Sequence, residues 1–325
     1  MILYIARRVL SAISVIVVTL LASFALFFVS PSDPAEIICG PRCPDQRYED
    51  IRRSLNLDRP VLEQFSEYMK GLVAGRTITR GGVQIECSAP CLGYSFTLNV
   101  PVTQLLEQAA PVTVSIVLGG AVIYFGVGVL AGVVAARRRA SFMDRAVVGA
   151  SLTVNSVPYF IVALIVSLYA TFLPTSAYHP FLENPIAWAS GLAAAWLTLG
   201  LTNAASYTRY SRNSMIESLS EDYVRTARAK GISERRVVYR HGLRAALAPV
   251  VTILGLDMAF QITNTLFTES IFGLPGIGLL TLRAFGNFDL PVLMGTVLVG
   301  AVVLVSLNLL VDLFYTVLDP RVRLR

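Results

Sequence analysis

Residues 111–136 read PVTVSIVLGGAVIYFGVGVLAGVVAA and run straight into Arg137, Arg138 and Arg139. Wound as a helix, these 26 uncharged positions reach about 39 Å, more than the roughly 30 Å of hydrocarbon in a bilayer. No face of such a helix is charged, and the arginines that close it mark the side of a membrane on which it ends. Working outward, five further runs pass the same test: 9–29, 146–173, 186–207, 245–267 and 290–318. The last two hold one carboxylate each, Asp257 and Asp312. Six spans predict an all-α integral membrane fold.

The whole chain agrees. Of its 325 residues 54% are hydrophobic and 15% charged, with a mean hydropathy of +0.63, where soluble domains average about 45–50% apolar and about 25% charged. That apolar content excludes a disordered chain. The net charge of +6 invites a nucleic-acid reading, but the placement of the bases gives another. Six spans put both termini on one side. With the termini in the cytoplasm, that side holds 18 Lys and Arg, including Arg321, Arg323 and Arg325, against nine on the other. The positive-inside rule selects this orientation, so the excess charge is topological and no nucleic acid is expected. Arg7 and Arg8 before the first run resemble the start of a secretory signal, yet the run is longer than a signal core and has no small-residue cleavage site, so it reads as a retained helix. The expected organisation is an N-terminal transmembrane helix (1–30), an extracytoplasmic segment (31–100), and a five-helix core (101–325) carrying a cytoplasmic loop at 211–244.

Residues 31–100 are soluble-like, with eight bases beside nine acids, and amphipathic helices are expected over 45–55 and 61–72. All four cysteines lie here: Cys39, Cys43, Cys87 and Cys91. Two C-x-x-x-C pairs suit disulfides, a thiolate metal site or free thiols. An oxidising compartment and the absence of a nearby histidine favour disulfides over a metal. Short local loops and a cross-link between the two clusters both fit the spacing.

The loop at 211–244 is the most charged cytoplasmic stretch, with nine bases and four acids counted from Arg209. Acids at Glu217, Glu221 and Asp222 precede bases at Arg225, Arg228 and Lys230, the order a helix dipole favours. Gly231 stands where a left-handed helix stop belongs, and Ser233 is placed to cap a second short helix from Glu234. Small residues, Ala227, Ala229 and Gly231, gather at the bend and leave room for a partner to approach. The plain alternative is a solvated basic loop that fixes topology or lies on anionic membrane lipid.

The run from Tyr223 to Val238, followed by His241 and then Leu243 to Pro249, resembles the coupling loop of binding-protein-dependent ABC importer permeases, and more narrowly the oligopeptide/dipeptide branch. The general pattern of Glu-Ala-Ala, three residues and Gly falls on Arg225, Thr226, Ala227 and Gly231, so only the second alanine and the glycine are kept. Pro249 comes 18 residues after the glycine, as that branch tends to have it. Further stretches resemble the branch in order: Ser30 to Ala35, Leu57 to Val61 with Gln64, Phe65 and Tyr68, Gly93 to Phe96, Arg138 to Asp144, Glu269 to Leu280, then Asp289 to Pro291 and Gly295. Residues 39–44 and 76–91, which hold every cysteine, do not fit and look like elaborations of the outer segment.

The resemblance implies the six-helix type I importer permease fold, in the bacterial cytoplasmic (inner) membrane. It implies a homologous second permease, two ATP-binding domains or subunits, an extracytoplasmic substrate-binding (lipo)protein and a peptide substrate. Arg225, Thr226, Ala227, Arg228, Ala229, Lys230, Gly231 and Ile232 are the expected ATPase contacts. Separately, the glycine-proline loop Gly273 to Gly278 breaks the chain between the last spans, which a membrane tolerates only inside protein or beside a cavity. Phe272, Pro275, Gly276 and Gly278 are therefore expected at an outer gate, with an ordinary surface turn as the alternative. Related permeases of the branch for nickel chelates or glutathione are the near alternative.

No Gly-x-x-x-x-Gly-Lys-Ser/Thr occurs in the chain. The chain is therefore expected to be neither an enzyme nor a cofactor binder, with ATP and Mg in partner subunits. His179 and His241 fall on opposite sides of the membrane, and Asp257 and Asp312 are the minimum for an intramembrane aspartyl protease. Asp257, Gln261 and Asn264 follow at i, i+4 and i+7, one helical face. With Asn155 and Ser156 before the kink-prone Pro158, they are candidate path lining; an interhelical hydrogen-bond network is the alternative. Gly128 and Gly132 form a G-x-x-x-G expected to serve plain helix packing. An ion-coupled secondary transporter would need an internal repeat, and none is evident; a purely structural anchor would not need the charged loop.

Overall fold

The computed structural model describes residues 2–28, 33–40, 43–54, 57–80, 83–95 and 97–318. In chain order the elements are α1 (Ile2–Phe28), α2 (Pro34–Cys39), α3 (Asp45–Ser54), α4 (Val61–Ala74), β1 (Arg76–Arg80), β2 (Val83–Cys87), β3 (Tyr94–Ser95), β4 (Val100–Pro101), α5 (Val102–Arg137), α6 (Phe142–Ser156) and α7 (Tyr159–Tyr169). They continue with α8 (Pro185–Ser220), α9 (Asp222–Ala229), α10 (Glu234–Arg236), a π-helical turn (Val237–Gly242), α11 (Leu243–Asn264), α12 (Leu266–Phe272), α13 (Ile277–Gly286) and α14 (Leu290–Leu318). Among the described residues five helical stretches are long and apolar enough to cross a membrane, and α6 with α7 makes a sixth if the bent pair counts as one span.

That pair departs from the single span expected over 146–173. The two helices meet at 88°. Val157, forced out of the helical region by the proline after it, is extended at φ −93°, ψ 125°, and Pro158 opens α7. With 15 and 11 residues, neither half alone reaches across about 30 Å of hydrocarbon. The fourth span also differs, since α8 runs to Ser220, 13 residues past the expected end at 207.

The chain divides into two compact units, residues 1–113 with 275–313, and 114–274 with 314–325. In the first, Leu20 and Phe24 of α1, Tyr68 of α4, Val102 and Leu106 of α5, and Val292 and Leu293 of α14 share one apolar core. The outer segment is more than helices, because β1 and β2 pair antiparallel from Arg76↔Cys87 to Arg80↔Val83, and β3 pairs with β4. Its fastening is polar and covalent. Asp33 caps α2 through the Ala35 N–H at 2.9 Å, and its other oxygen accepts from Tyr48 Oη at 2.7 Å and Arg52 Nη1 at 2.9 Å. Arg52 also donates Nε to Asp58 at 2.8 Å, and these neighbours hold its guanidinium above the usual arginine range. Disulfides join Cys39 to Cys43 and Cys87 to Cys91, so the connectivity is two local loops rather than a cross-link between clusters. Arg321, Arg323 and Arg325, residues 30–32, Phe96 and the side chain of Asp312 lie outside what is described.

In the second unit α5 and α8 approach until their backbones touch. A Cβ at Gly128 would stand 2.3 Å from Tyr207 Cβ, and one at Gly132 2.6 Å from the Thr208 carbonyl oxygen. The G-x-x-x-G therefore does the packing work its spacing suggested. Asp144, 3% exposed, takes Arg212 through two bonds of 2.6 and 2.8 Å and the Ala140 N–H at 2.9 Å. That pair pins the start of α6 to α8, and it satisfies an arginine where hydropathy alone would have ended the span.

Candidate coupling loop and polar seam

The loop expected to carry coupling is built as a clamp around Gly231. Glu221, extended at φ −68°, ψ 150°, separates α8 from α9. At the far end of α9, Gly231 has φ +73°, a left-handed conformation that only glycine adopts without strain. Its N–H donates to the Arg228 carbonyl at 2.9 Å, and the Ile232 N–H reaches back to the Ala227 carbonyl at 3.3 Å. These are the two bonds of a Schellman stop, with its usual apolar contact between Ile232 and the helix end. Val224, Ala227 and Val237 are buried together, with Leu219 and Ile232 against them. Arg228 spans the turn and donates to Glu234 at 2.8 and 3.1 Å, which raises its pKa.

Beyond the turn the structure corrects one expectation. Ser233 caps nothing with its side chain; its carbonyl accepts the Val237 N–H at 3.0 Å. No second short helix stands alone, because Glu234–Ile262 forms one 29-residue helical stretch that passes through the π-turn. Ser218 Oγ donates to the Gly242 carbonyl at 2.9 Å, lacing the end of α8 to that turn. A Cβ at Gly242 would lie 2.8 Å from Leu219 Cδ2, so a side chain there would have to displace Leu219. The loop is thereby joined to two long apolar helices, α8 and α11.

The expected contact residues differ in exposure. Ala227 is 6% exposed and packs in the loop's own core. Arg228 is exposed and paired with Glu234. Arg225, Thr226, Ala229, Lys230 and Gly231 are exposed, and Ile232 is half-buried.

The candidate path residues divide in the same way. Asp257 accepts from Tyr207 Oη at 2.8 Å, and Gln261 donates to Asn203 Oδ1 at 3.3 Å. Residues four apart on α11 thus meet residues four apart on α8 in one polar seam. The Tyr124 ring lies against Tyr207, centroids 4.7 Å apart. Asn264 is exposed and its amide donates to its own helix at the Phe260 carbonyl, 2.9 Å away. Asn155 and Pro158 are exposed at the α6–α7 bend. With its amide oriented to satisfy both polar atoms, Asn155 Oδ1 accepts from Arg209 at 2.7 and 3.0 Å and from Ser206 Oγ at 3.1 Å. Sequence reasoning missed Asn203, Tyr207 and Arg209. The signal was present in the matched i, i+4 spacing of 203/207 and 257/261.

The expected gate loop is divided between the units. In one, Phe272 is buried, Gly273 stops α12 with φ +67°, and the Leu274 N–H donates to the Glu269 carbonyl at 2.9 Å. In the other, Gly276 precedes α13, the Ile277 N–H donates to Thr113 Oγ1 at 2.8 Å, and Gly278 is buried within α13; Pro275 adjoins them, half-exposed or more. Two stretches that carried the resemblance also meet in that unit. Ser95 Oγ donates to the buried Asp289 carboxylate, and a Cβ at Gly295 would lie 2.5 Å from Val102. Among the described residues no group of three or more His, Cys, Asp or Glu is placed to hold a metal ion.

Comparison with known proteins accounts for nearly the whole chain. Residues 1–117 match the model of the N-terminal part of binding-protein-dependent transport system membrane components, and residues 128–324 match that of binding-protein-dependent transport system inner membrane components. A putative peptide transport system permease protein of Brucella abortus (strain 2308) is 36% identical over 98% of both chains. A probable peptide ABC transporter permease protein of Sinorhizobium fredii is 35% identical, over 98% of this chain and 99% of its own. The dipeptide transport system permease protein DppB of Escherichia coli K12 is 32% identical over 99% of both. A multi-pass chain with five or six apolar spans, a stiff loop joined to two of them, and both family models end to end is what these observations describe: the protein belongs to the binding-protein-dependent transport system inner membrane components.

Proposed function

We propose that this chain is one of two permease subunits of an ATP-driven peptide importer in a bacterial inner membrane, with both termini cytoplasmic. The observation that carries the reading is the 221–242 clamp. It is short, internally satisfied and joined without a break to α11, which suits a part that converts an ATPase motion into helix tilt. Arg225, Thr226, Ala229, Lys230 and Gly231 form the surface offered to the ATP-binding subunits, where ATP and Mg reside. Ala227, Arg228 and Ile232 hold that surface in shape. The relatives' names, peptide and dipeptide transport permeases, favour peptide over nickel chelates or glutathione.

Asn155, Pro158, Asp257, Gln261 and Asn264 line this chain's half of the path. An uncovered face bearing amides and a carboxylate is costly against lipid and suits a watery passage. Phe272, Pro275, Gly276 and Gly278 contribute to the outer gate, and the disulfide-bonded outer segment faces the substrate-binding lipoprotein. The test is reconstitution with the cognate subunits in liposomes. Uptake of a labelled peptide should require ATP, the ATPase subunits and the binding protein together. Uptake by this chain alone, driven by an ion gradient, would replace the reading with secondary transport.

A further inference from the structure

The proposed path carries a cation that has no counter-charge among the described residues. The side of α8 that meets α5 presents Ala204, Tyr207, Thr208 and Ser211. Thr202, Ser206, Arg209 and Asn213 follow at i, i+4, i+7 and i+11 on the opposite side, and none of them is fully buried. A polar stripe on a partly exposed side of a membrane helix faces water or protein, not lipid.

Arg209 differs from its neighbour one turn on. Arg212 is matched by the buried Asp144 carboxylate. Arg209 forms no ion pair among the described residues, and its partners there are neutral: Asn155 Oδ1 at 2.7 and 3.0 Å and Ser206 Oγ at 3.5 Å. These take up no more than three of the five N–H donors of a guanidinium. Asn155 therefore fixes the plane of the fork while part of it stays available at the uncovered face.

We infer that Arg209, positioned by Asn155, receives the free carboxylate of the peptide during its passage. This rests on the reading that the α6–α8–α11 face lines a peptide path. Every unmodified peptide carries a terminal carboxylate whatever its side chains, so one guanidinium fork gives a contact independent of sequence. The neutral partners of Arg209 leave its charge unmatched by a neighbouring carboxylate, and a single cation makes one contact with the substrate rather than several.

The test uses the full complex in liposomes and one short peptide with uncharged side chains, as free acid and as C-terminal amide. Both are supplied at levels shown by titration to saturate the binding protein. Arg209→Gln should lower free-acid uptake about tenfold, as loss of a charge-assisted bidentate pair implies, and leave amide uptake unchanged; Arg209→Lys should recover part of the loss. An amidated peptide with one internal glutamate separates the two sources of carboxylate, and should behave like the neutral amide if the terminal group is the one read. Equal losses for acid and amide, or no loss for either, overturn the inference while leaving the importer reading intact. Wild-type failure to take up any peptide with ATP overturns the importer reading itself. Where the amide is refused by the binding protein or Arg209→Gln does not assemble, Asn155→Asp decides, because it keeps the contact but supplies a rival carboxylate. Reduced free-acid uptake at normal assembly is expected, and unchanged uptake overturns the inference.

Discussion

The loop at 221–242 and the outer segment at 33–95 are both compact, polar and outside the long spans, yet they are held by different forces. The loop keeps its shape through backbone bonds at Gly231 and a core of Val224, Ala227 and Val237, with one exposed ion pair across the turn. The outer segment relies on two disulfides and the Asp33–Tyr48–Arg52–Asp58 network around a core of Ala35, Ile51, Ile78 and Tyr94. On the function proposed above, the difference follows from task and compartment. A part that transmits force needs stiffness along its axis and continuity with the membrane helices, whereas a segment in an oxidising compartment can be stapled in place by disulfides.

Five variants would break or sharpen this contrast. Ala227→Leu forces an extra branch into the loop's core at a cost of about 1–3 kcal/mol, and it should reduce ATP-dependent uptake more than any exposed change in the loop, read in the reconstituted complex. Cys87→Ser with Cys91→Ser opens a five-residue loop and should remove about 2 kcal/mol, seen as faster proteolysis of the outer segment. ATP hydrolysis should stay coupled to uptake in that variant. Gly231→Leu carries a left-handed strain of about 1–2 kcal/mol but meets no atom within 4 Å inside the chain. Gly231→Asn, which tolerates that conformation, should therefore retain most uptake if backbone strain is the cause, and lose it equally if a partner occupies the space. Arg228→Ala should cost under about 1 kcal/mol, since the pair with Glu234 is exposed, and uptake should fall less than twofold.

Much of this architecture was legible in the chain, and the exceptions have physical causes. Residues 111–136 and Leu290–Leu318 announce spans because nothing interrupts their apolar character. The extension of α8 to Ser220 was hidden because hydropathy stops at charge while helix formation does not, and Arg212 is satisfied by a carboxylate 68 residues away. The sharp α6–α7 bend was written in Pro158, but only its place and not its angle could be read. The β1–β2 hairpin left a period-2 trace at Thr77, Ile78 and Thr79 and at Val83, Gln84 and Ile85, overshadowed by the cysteines beside it. In the loop, the type of each residue was visible but not its direction. Ala227 and Gly231 look alike as small residues, yet one faces inward and the other outward. Asp257 stood out as a charge, while Tyr207 passed as part of an apolar run and Arg209 as one more topological base.

The direct measurement of the central claim is site-specific cross-linking from the exposed rim of the Gly231 turn in the assembled complex. A photoreactive residue at Ala229 should capture an ATP-binding subunit, with a yield that changes between ATP-bound and ATP-free states, while one at the exposed Val73 of the outer segment should not. Absence of any ATP-binding subunit at residue 229, in a complex that still imports peptide at the wild-type rate, would contradict the account.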